Sequence, residues 1–195
     1  PAEFHPQLLR RIKGTNPNQL AYLKSMALNT VTFGLGSAGT GKTFMAASFA
    51  AAEMAAGRVW RIVLSRPMVQ CGGEKLGFLT GGVMEKVSPF MAPLLDAMEV
   101  FFSKSDLDRL MELDRLRITP LELMRGNSYK DAIVIHDESQ NMTRLQVEMA
   151  LTRVDVGTKL IFTGDEKQND LGISPLVETV RMLSTPTMID SMGVV

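Results

Sequence analysis

The run Gly36-Ser37-Ala38-Gly39-Thr40-Gly41-Lys42-Thr43 fits the pattern G-x-x-x-x-G-K-S/T, and no other feature narrows the possible folds as far. Glycines at Gly36, Gly39 and Gly41 let the backbone curl closely round an anion, with successive N–H groups turned inward and the positive end of a following helix behind them. Asn29 to Leu35 is β-branched and apolar, whereas Phe44 to Ala56 is rich in alanine and methionine, so the order strand, loop, helix is predicted. In such a P-loop the residues Gly36, Ser37, Ala38, Gly39, Thr40 and Gly41 cradle the phosphates of a nucleoside triphosphate. Lys42 reaches the β- and γ-phosphates, and the Thr43 hydroxyl ligates Mg²⁺. A glycine-rich turn that merely shares the spelling is the alternative, and it leaves both flanks unexplained.

A chain of 195 residues, 45% of them hydrophobic, is enough for one domain with a sizeable core. Lys plus Arg and Asp plus Glu both number 21, so no broad cationic surface points to nucleic acid or membrane, and only a local basic patch stays open. Cys71, the single cysteine, excludes an internal disulfide and a cysteine-built zinc site and fits a reducing cytosol as a packed thiol. There is no 18-residue apolar run and no signal-peptide core in Pro1 to Pro6, which leads us to expect a soluble, cytoplasmic protein without a membrane partner. A start at Pro1 and an end in the strand-like Gly193-Val194-Val195 lead us to expect part of a longer chain, cut at the C-terminus.

Residues 1–16 are polar, proline-containing and aperiodic, and read as a loose N-terminal arm before a domain over 17–195. Leu20, Leu23, Ala27 and Leu28 have helical spacing from Pro17 onward. Further strands are predicted at Val59–Ser65, Arg117-Ile118, Ala132–His136 and Lys159–Thr163. The stretch of about 67–130, glycine-rich and then amphipathic over Met84–Phe102 and Asp106–Leu116, reads as a largely helical insertion. Thr119-Pro120-Leu121-Glu122 has the look of a helix start, and Thr143 with Gln146 has capping-box spacing. Alternating strands and helices favour an α/β fold with a mostly parallel sheet.

Two further constellations sit at strand ends. Asp137 and Glu138 directly follow Ile133-Val134-Ile135-His136, as a Walker B pair does beside a P-loop; Asp137 then holds the Mg²⁺ shell and Glu138 activates water. The alternative is an acidic pair opening a solvated turn. Thr163-Gly164-Asp165-Glu166-Lys167-Gln168 follows the next strand, where Gln168 either contacts the γ-phosphate or attacking water or belongs to an ordinary polar turn.

With these blocks in order, the sequence from about Asn18 to Val195 resembles the PhoH-like ATPases, P-loop proteins related to superfamily 1 helicases. The resemblance is carried by GSAGTGKT (36–43), RPMVQCGGEKLGFLTG (66–81), PLELMRG (120–126), DESQN (137–141), LTR (151–153) and TGDEKQND (163–170). It implies a three-layer α/β/α P-loop NTPase core of the RecA/helicase-like kind that binds and hydrolyses ATP with Mg²⁺. It also implies that Gln168 serves the γ-phosphate and that Gln19 reads the adenine edge, a surface helix glutamine being the alternative for the latter. The chain departs from the family at His136, where an apolar residue is usual, and at Ser139, where alanine is usual. His136 reads as a tolerated strand-end residue rather than a metal ligand.

Arg66, Arg125, Arg153 and Arg181 are the candidates for contact with a γ-phosphate or with RNA, since a guanidinium's donor fork fits phosphate oxygens; a structural ion pair or a solvated arginine is the alternative for each. An arginine acting in trans requires a second copy, hence a ring-shaped homo-oligomer or a stack. Three functions stay open. One is an ATPase coupling hydrolysis to binding, remodelling or unwinding RNA or single-stranded DNA. Another is an ATP-dependent switch acting on a protein partner. The last is a small-molecule kinase, which gives Gln168 no role.

Overall fold

The computed structural model describes residues 4–11, 13–68, 83–124, 128–165, 176, 178–180 and 192–194, with 83–88 and 192–194 described as backbone alone. In chain order the elements are α1 (Pro17–Leu28), β1 (Val31–Leu35), α2 (Lys42–Ala55), β2 (Arg61–Arg66), α3 (Val83–Glu99), α4 (Lys104–Glu112), β3 (Leu116–Pro120), β4 (Ala132–His136), α5 (Arg144–Leu151), β5 (Lys159–Gly164) and β6 (Met192–Val194). Short 3-10 turns cover Leu121–Met124 and Ser139–Asn141.

The six strands form one sheet in the order β3-β2-β4-β5-β1-β6, and every pairing is parallel. Strands buried on both faces must be apolar throughout, and Ile133-Val134-Ile135 in β4 satisfies this; all five residues of that strand are buried. The period-2 alternation divides the core. Ile62, Leu64, Ile133, Ile135 and Ile161 face α1 to α4, whereas Val63, Val134, Leu160, Phe162 and Phe33 face α5 and the region of Leu176 and Val180. Phe33 and Phe162 stack across adjacent strands with ring centroids 4.8 Å apart. The result is the expected three-layer α/β/α sandwich.

Several elements differ in detail from the sequence reading. In α1 the buried face is Tyr22, Ser25 and Met26, while Leu20 and Leu28 lie exposed. The apolar spacing there does not mark the core side, because the tilt of α1 across β1 decides which side is covered. The arm expected to be loose is fastened from Phe4 onward. Leu9 N–H donates to the Phe101 carbonyl at 2.8 Å, Pro6 is buried, and the buried Arg115 donates to the carbonyls of Phe4 and Trp60. The stretch read as an insertion contains α3, α4 and β3, and β3 is the sheet's edge strand beside β2. Proline 120 ends β3, so the expected helix start is realised as a single 3-10 turn. The Thr143 capping box forms, with Gln146 N–H on the Thr143 hydroxyl and Thr143 N–H on the Gln146 side chain.

Candidate functional site

Because all strands run in parallel, their carboxyl ends meet along one edge, the place where α/β sheets hold ligands. A cleft of about 470 Å³ opens there between the 36–43 loop, the ends of β2, β4 and β5, and the α3 wall at Pro93, Asp96 and Ala97. Gly39 (φ 76°) and Gly41 (φ 82°) adopt the left-handed conformation that side chains resist. Gly41 is also the N-cap of α2 and supplies no side-chain acceptor, so the first N–H groups of α2 have no such cap and face the cleft end of the helix. Lys42 Nζ folds back onto the carbonyls of Gly36 and Ser37 at 2.7 and 2.8 Å, which holds its charge over the loop.

Asp137 lies at the centre. The strand that leads into it, β4, is not hydrogen-bonded to β1, because β5 runs between them. Its carboxylate nevertheless spans that gap: Oδ1 accepts from Thr43 Oγ1 and from Thr163 Oγ1, both at 2.6 Å. The other oxygen, Oδ2, accepts from an Arg66 guanidinium N–H at 2.6 Å. Asp137 is only 2% exposed, and a charge so buried requires such partners. Arg66 also donates to the Phe90 carbonyl of α3 at 3.1 Å, while its buried Nε–H has no partner.

Glu138 follows with φ 52°, a left-handed conformation for a non-glycine residue. The amide of Gln140 donates to the Glu138 carboxylate at 2.6 Å, and its carbonyl accepts from Asp165 N–H at 3.0 Å. Asp165 in turn accepts at Oδ2 from the Ala38 N–H of the loop, 2.7 Å away. Beneath this layer, the Ser65 hydroxyl and His136 Nδ1 lie 2.5 Å apart, and the Ser139 hydroxyl donates to the His136 carbonyl. Full burial pushes the His136 pKa down to about 3, so the ring is neutral at physiological pH and packs against Phe162.

Gln19 stands on the other side of the loop, in a second cleft of about 540 Å³ with Asn16, Tyr22, Gly34 and Thr40. Its side-chain oxygen accepts from the backbone and hydroxyl of Thr15, and its amide reaches the Thr40 carbonyl at 3.4 Å. The Tyr22 hydroxyl is buried without a partner; burial first, and then the charge of Asp137, push its pKa up.

The structure therefore gathers the 36–43 loop, Arg66, Asp137 and Glu138 at one cleft, with Gln19 behind the loop. Arg153 is elsewhere: its carbonyl pairs with Tyr129 N–H ahead of β4, near the opposite edge of the sheet, so it does not reach this chain's own cleft. Gln168, Arg125, Arg181 and Cys71 lie outside the described residues. The sequence reading gave no role to Thr163, Gln140 or Asp165. Their signal was present, since each stands inside the DESQN or TGDEKQND block, but only the fold reveals what each one touches.

The arrangement suits a phosphate chain carrying a divalent cation. The loop supplies amides and a lysine, and Thr43 and Asp137 supply hard oxygens already in contact. Among the described residues no three His, Cys, Asp or Glu side chains cluster as a metal cage; a Mg²⁺ that takes most of its ligands from phosphate and water needs none. Also among the described residues, no helix is long and apolar enough to cross a membrane.

The sequence model of a protein family described as "PhoH-like protein" matches residues 11–193. A PhoH-like protein of Synechocystis sp. is 45% identical over 78% of this chain and 46% of its own length. One of Bacillus subtilis is 43% identical over 83% and 50%, and Protein PhoH of Escherichia coli is 37% identical over 82% and 46%. The chain thus spans about half the length of the curated relatives it matches.

Proposed function

This chain belongs to the PhoH-like protein family, and on that premise we propose that it binds ATP with Mg²⁺, hydrolyses it, and couples hydrolysis to binding, remodelling or unwinding RNA or single-stranded DNA. The observation that carries the nucleotide half is the Asp137 carboxylate, held at 2.6 Å by the hydroxyl of Thr43, next to Lys42 at the start of α2. That contact joins the cation-organising acid to the phosphate-cradling loop although a strand separates their own strands.

The loop amides and Lys42 bind and orient the β- and γ-phosphates. Bound Mg²⁺, held through Thr43 and Asp137, supplies charge neutralisation at the phosphate oxygens. Glu138 takes the proton of the attacking water, and Gln168 serves the γ-phosphate. Gln19, lining the second cleft, reads the adenine edge. Lys42→Ala is expected to abolish productive ATP binding, whereas Glu138→Gln keeps binding and loses turnover. Binding of a fluorescent ATP analogue and steady-state hydrolysis by the full-length protein check both, and equal turnover in Glu138→Gln and the parent sinks the general-base assignment.

One observation favours a second reading, a nucleotide switch acting on a protein partner. Arg66 links Asp137 to the Phe90 carbonyl, so a change of charge at Asp137 is felt directly by α3. A small-molecule kinase gains no support from this geometry.

A further inference from the structure

We infer that Gln140 is a positioning residue: it aims the Glu138 carboxylate and, through Asp165, ties that aim to the state of the phosphate-cradling loop. The inference rests on the nucleotide-site reading above and adds to it the coupling between phosphate contact and the water-activating base.

Four groups form an unbroken chain. Ala38 N–H donates to Asp165 Oδ2 (2.7 Å), Asp165 N–H donates to Gln140 Oε1 (3.0 Å), and Gln140 Nε2 donates to Glu138 Oε2 (2.6 Å). The chemistry fixes the orientation of the amide, because a backbone N–H can only donate and a carboxylate can only accept. A side chain at position 140 must therefore offer one donor and one acceptor. Glutamate there would set a second negative charge against Glu138, and an apolar residue would serve neither neighbour. Gln140 is only 2% exposed and Asp165 only 6%, so losing either partner strands a polar group away from water. The fit is close as well: a Cβ at Gly164 would lie 3.0 Å from Gln140 Oε1 and 3.2 Å from its backbone N, so a side chain there would press on Gln140. Gly36 N–H meets the Gly164 carbonyl at 3.2 Å, a second tie between the loop and the end of β5.

Glu138 needs such a brace. Its left-handed backbone is unfavourable for a residue with a side chain and persists only where neighbours over-determine it. With the Gln140 amide on its carboxylate, the base has one preferred direction, and that direction depends on where Asp165 stands. Asp165 rests on the loop. A phosphate chain entering the loop brings negative charge toward the Asp165 carboxylate, and whatever shift this causes passes through Gln140 to Glu138.

The test uses the full-length protein with Gln140→Met, Asp165→Ala and the double variant. Gln140→Met keeps length and volume and removes the side-chain hydrogen bonds to Glu138 and to Asp165 N–H. Its affinity for a fluorescent ADP analogue is expected to stay within about twofold of the parent while kcat falls about tenfold or more. Hydrogen exchange of the nucleotide-free protein gives a readout independent of turnover. In Gln140→Met the amides of Asp165 and of Ala38 are expected to exchange about tenfold faster, the second through Asp165, which accepts from Ala38 N–H and donates to Gln140. The double variant is expected to be no slower than the slower single, since both cut one chain. Unchanged kcat, multiplicative losses in the double variant, or an Ala38 amide that exchanges as in the parent overturns the relay. Should Gln140→Met fail to fold, Asp165→Ala is judged alone: it must lower kcat and speed exchange across 138–142, and the absence of either effect overturns the relay. A parent that does not bind the analogue overturns the nucleotide reading itself; a parent that binds and hydrolyses while the variants behave as it does overturns only the relay.

Discussion

Asp137 is the residue on which the cleft turns, and its burial makes its partners measurable. Each oxygen is engaged, and among the described residues the cation paired with the carboxylate is Arg66. Arg66→Gln leaves that charge buried without its counter-ion. The expected loss is about 2 to 4 kcal/mol in urea unfolding of the nucleotide-free protein, below the full cost for a dry pair because the Arg66 side chain is 19% exposed. His136 makes a different prediction. It is held neutral in the fold, with a pKa near 3 against 6.5 when unfolded. Below about pH 6.5 the unfolded chain therefore binds a proton that the folded protein refuses. The stability from this histidine is complete above that pH and falls by about 1.4 kcal/mol per pH unit as the pH drops toward 3. His136→Gln is expected to remove that portion of the slope, read as the difference between the two proteins' unfolding midpoints at pH 7 and pH 5.

At the scale of elements, close approach matters most where α1 lies over β1. A Cβ at Gly34 would sit 2.6 Å from the ring and hydroxyl of Tyr22, so the Tyr22 ring, only 5% exposed, must shift to admit it. Gly34→Ala is expected to cost about 1 to 3 kcal/mol as an overpacking change, seen as a lower thermal midpoint, and to weaken ligands of the Gln19 cleft that Gly34 and Tyr22 line. The strands and α2 were legible from sequence because their signals are local: β-branched runs, an alanine-rich helix after a glycine-rich loop, and a capping box at Thr143 that the structure reproduces. The covered face of α1 was not legible. Leu20 and Leu28 have the spacing of a core stripe and lie in solvent, since which side of a helix is buried depends on how it crosses the sheet. Phe4 to Leu9 likewise give no periodic signal, and their fastening comes from the Phe101 carbonyl and the buried Arg115 far along the chain.

At the scale of the whole molecule, zero formal net charge sets the question of the polymer. Under the proposed function, a nucleic-acid track would be gripped by a local patch rather than by the overall field, so its effect would be most visible at low salt. ATP hydrolysis by the full-length protein is expected to rise in the presence of single-stranded RNA or DNA. Turnover that neither polymer changes would keep the proposed ATPase reading and favour the proposed switch running from Arg66 to α3. The sequence by itself determined the chemical inventory and the succession of strand, loop and helix, because the 36–43 glycines, the apolar runs and the acidic pair after β4 act through neighbours in the chain. Only the tertiary structure decided that β5 separates β4 from β1 and yet carries Thr163 into the gap, that Arg66 is the counter-ion of Asp137, and that Arg153 is remote from the cleft. It alone decided that Gln140 joins Glu138 to the loop through Asp165. These are contacts between strand ends distant in sequence, fixed by the order in which parallel strands pair, and no local pattern of residues records that order.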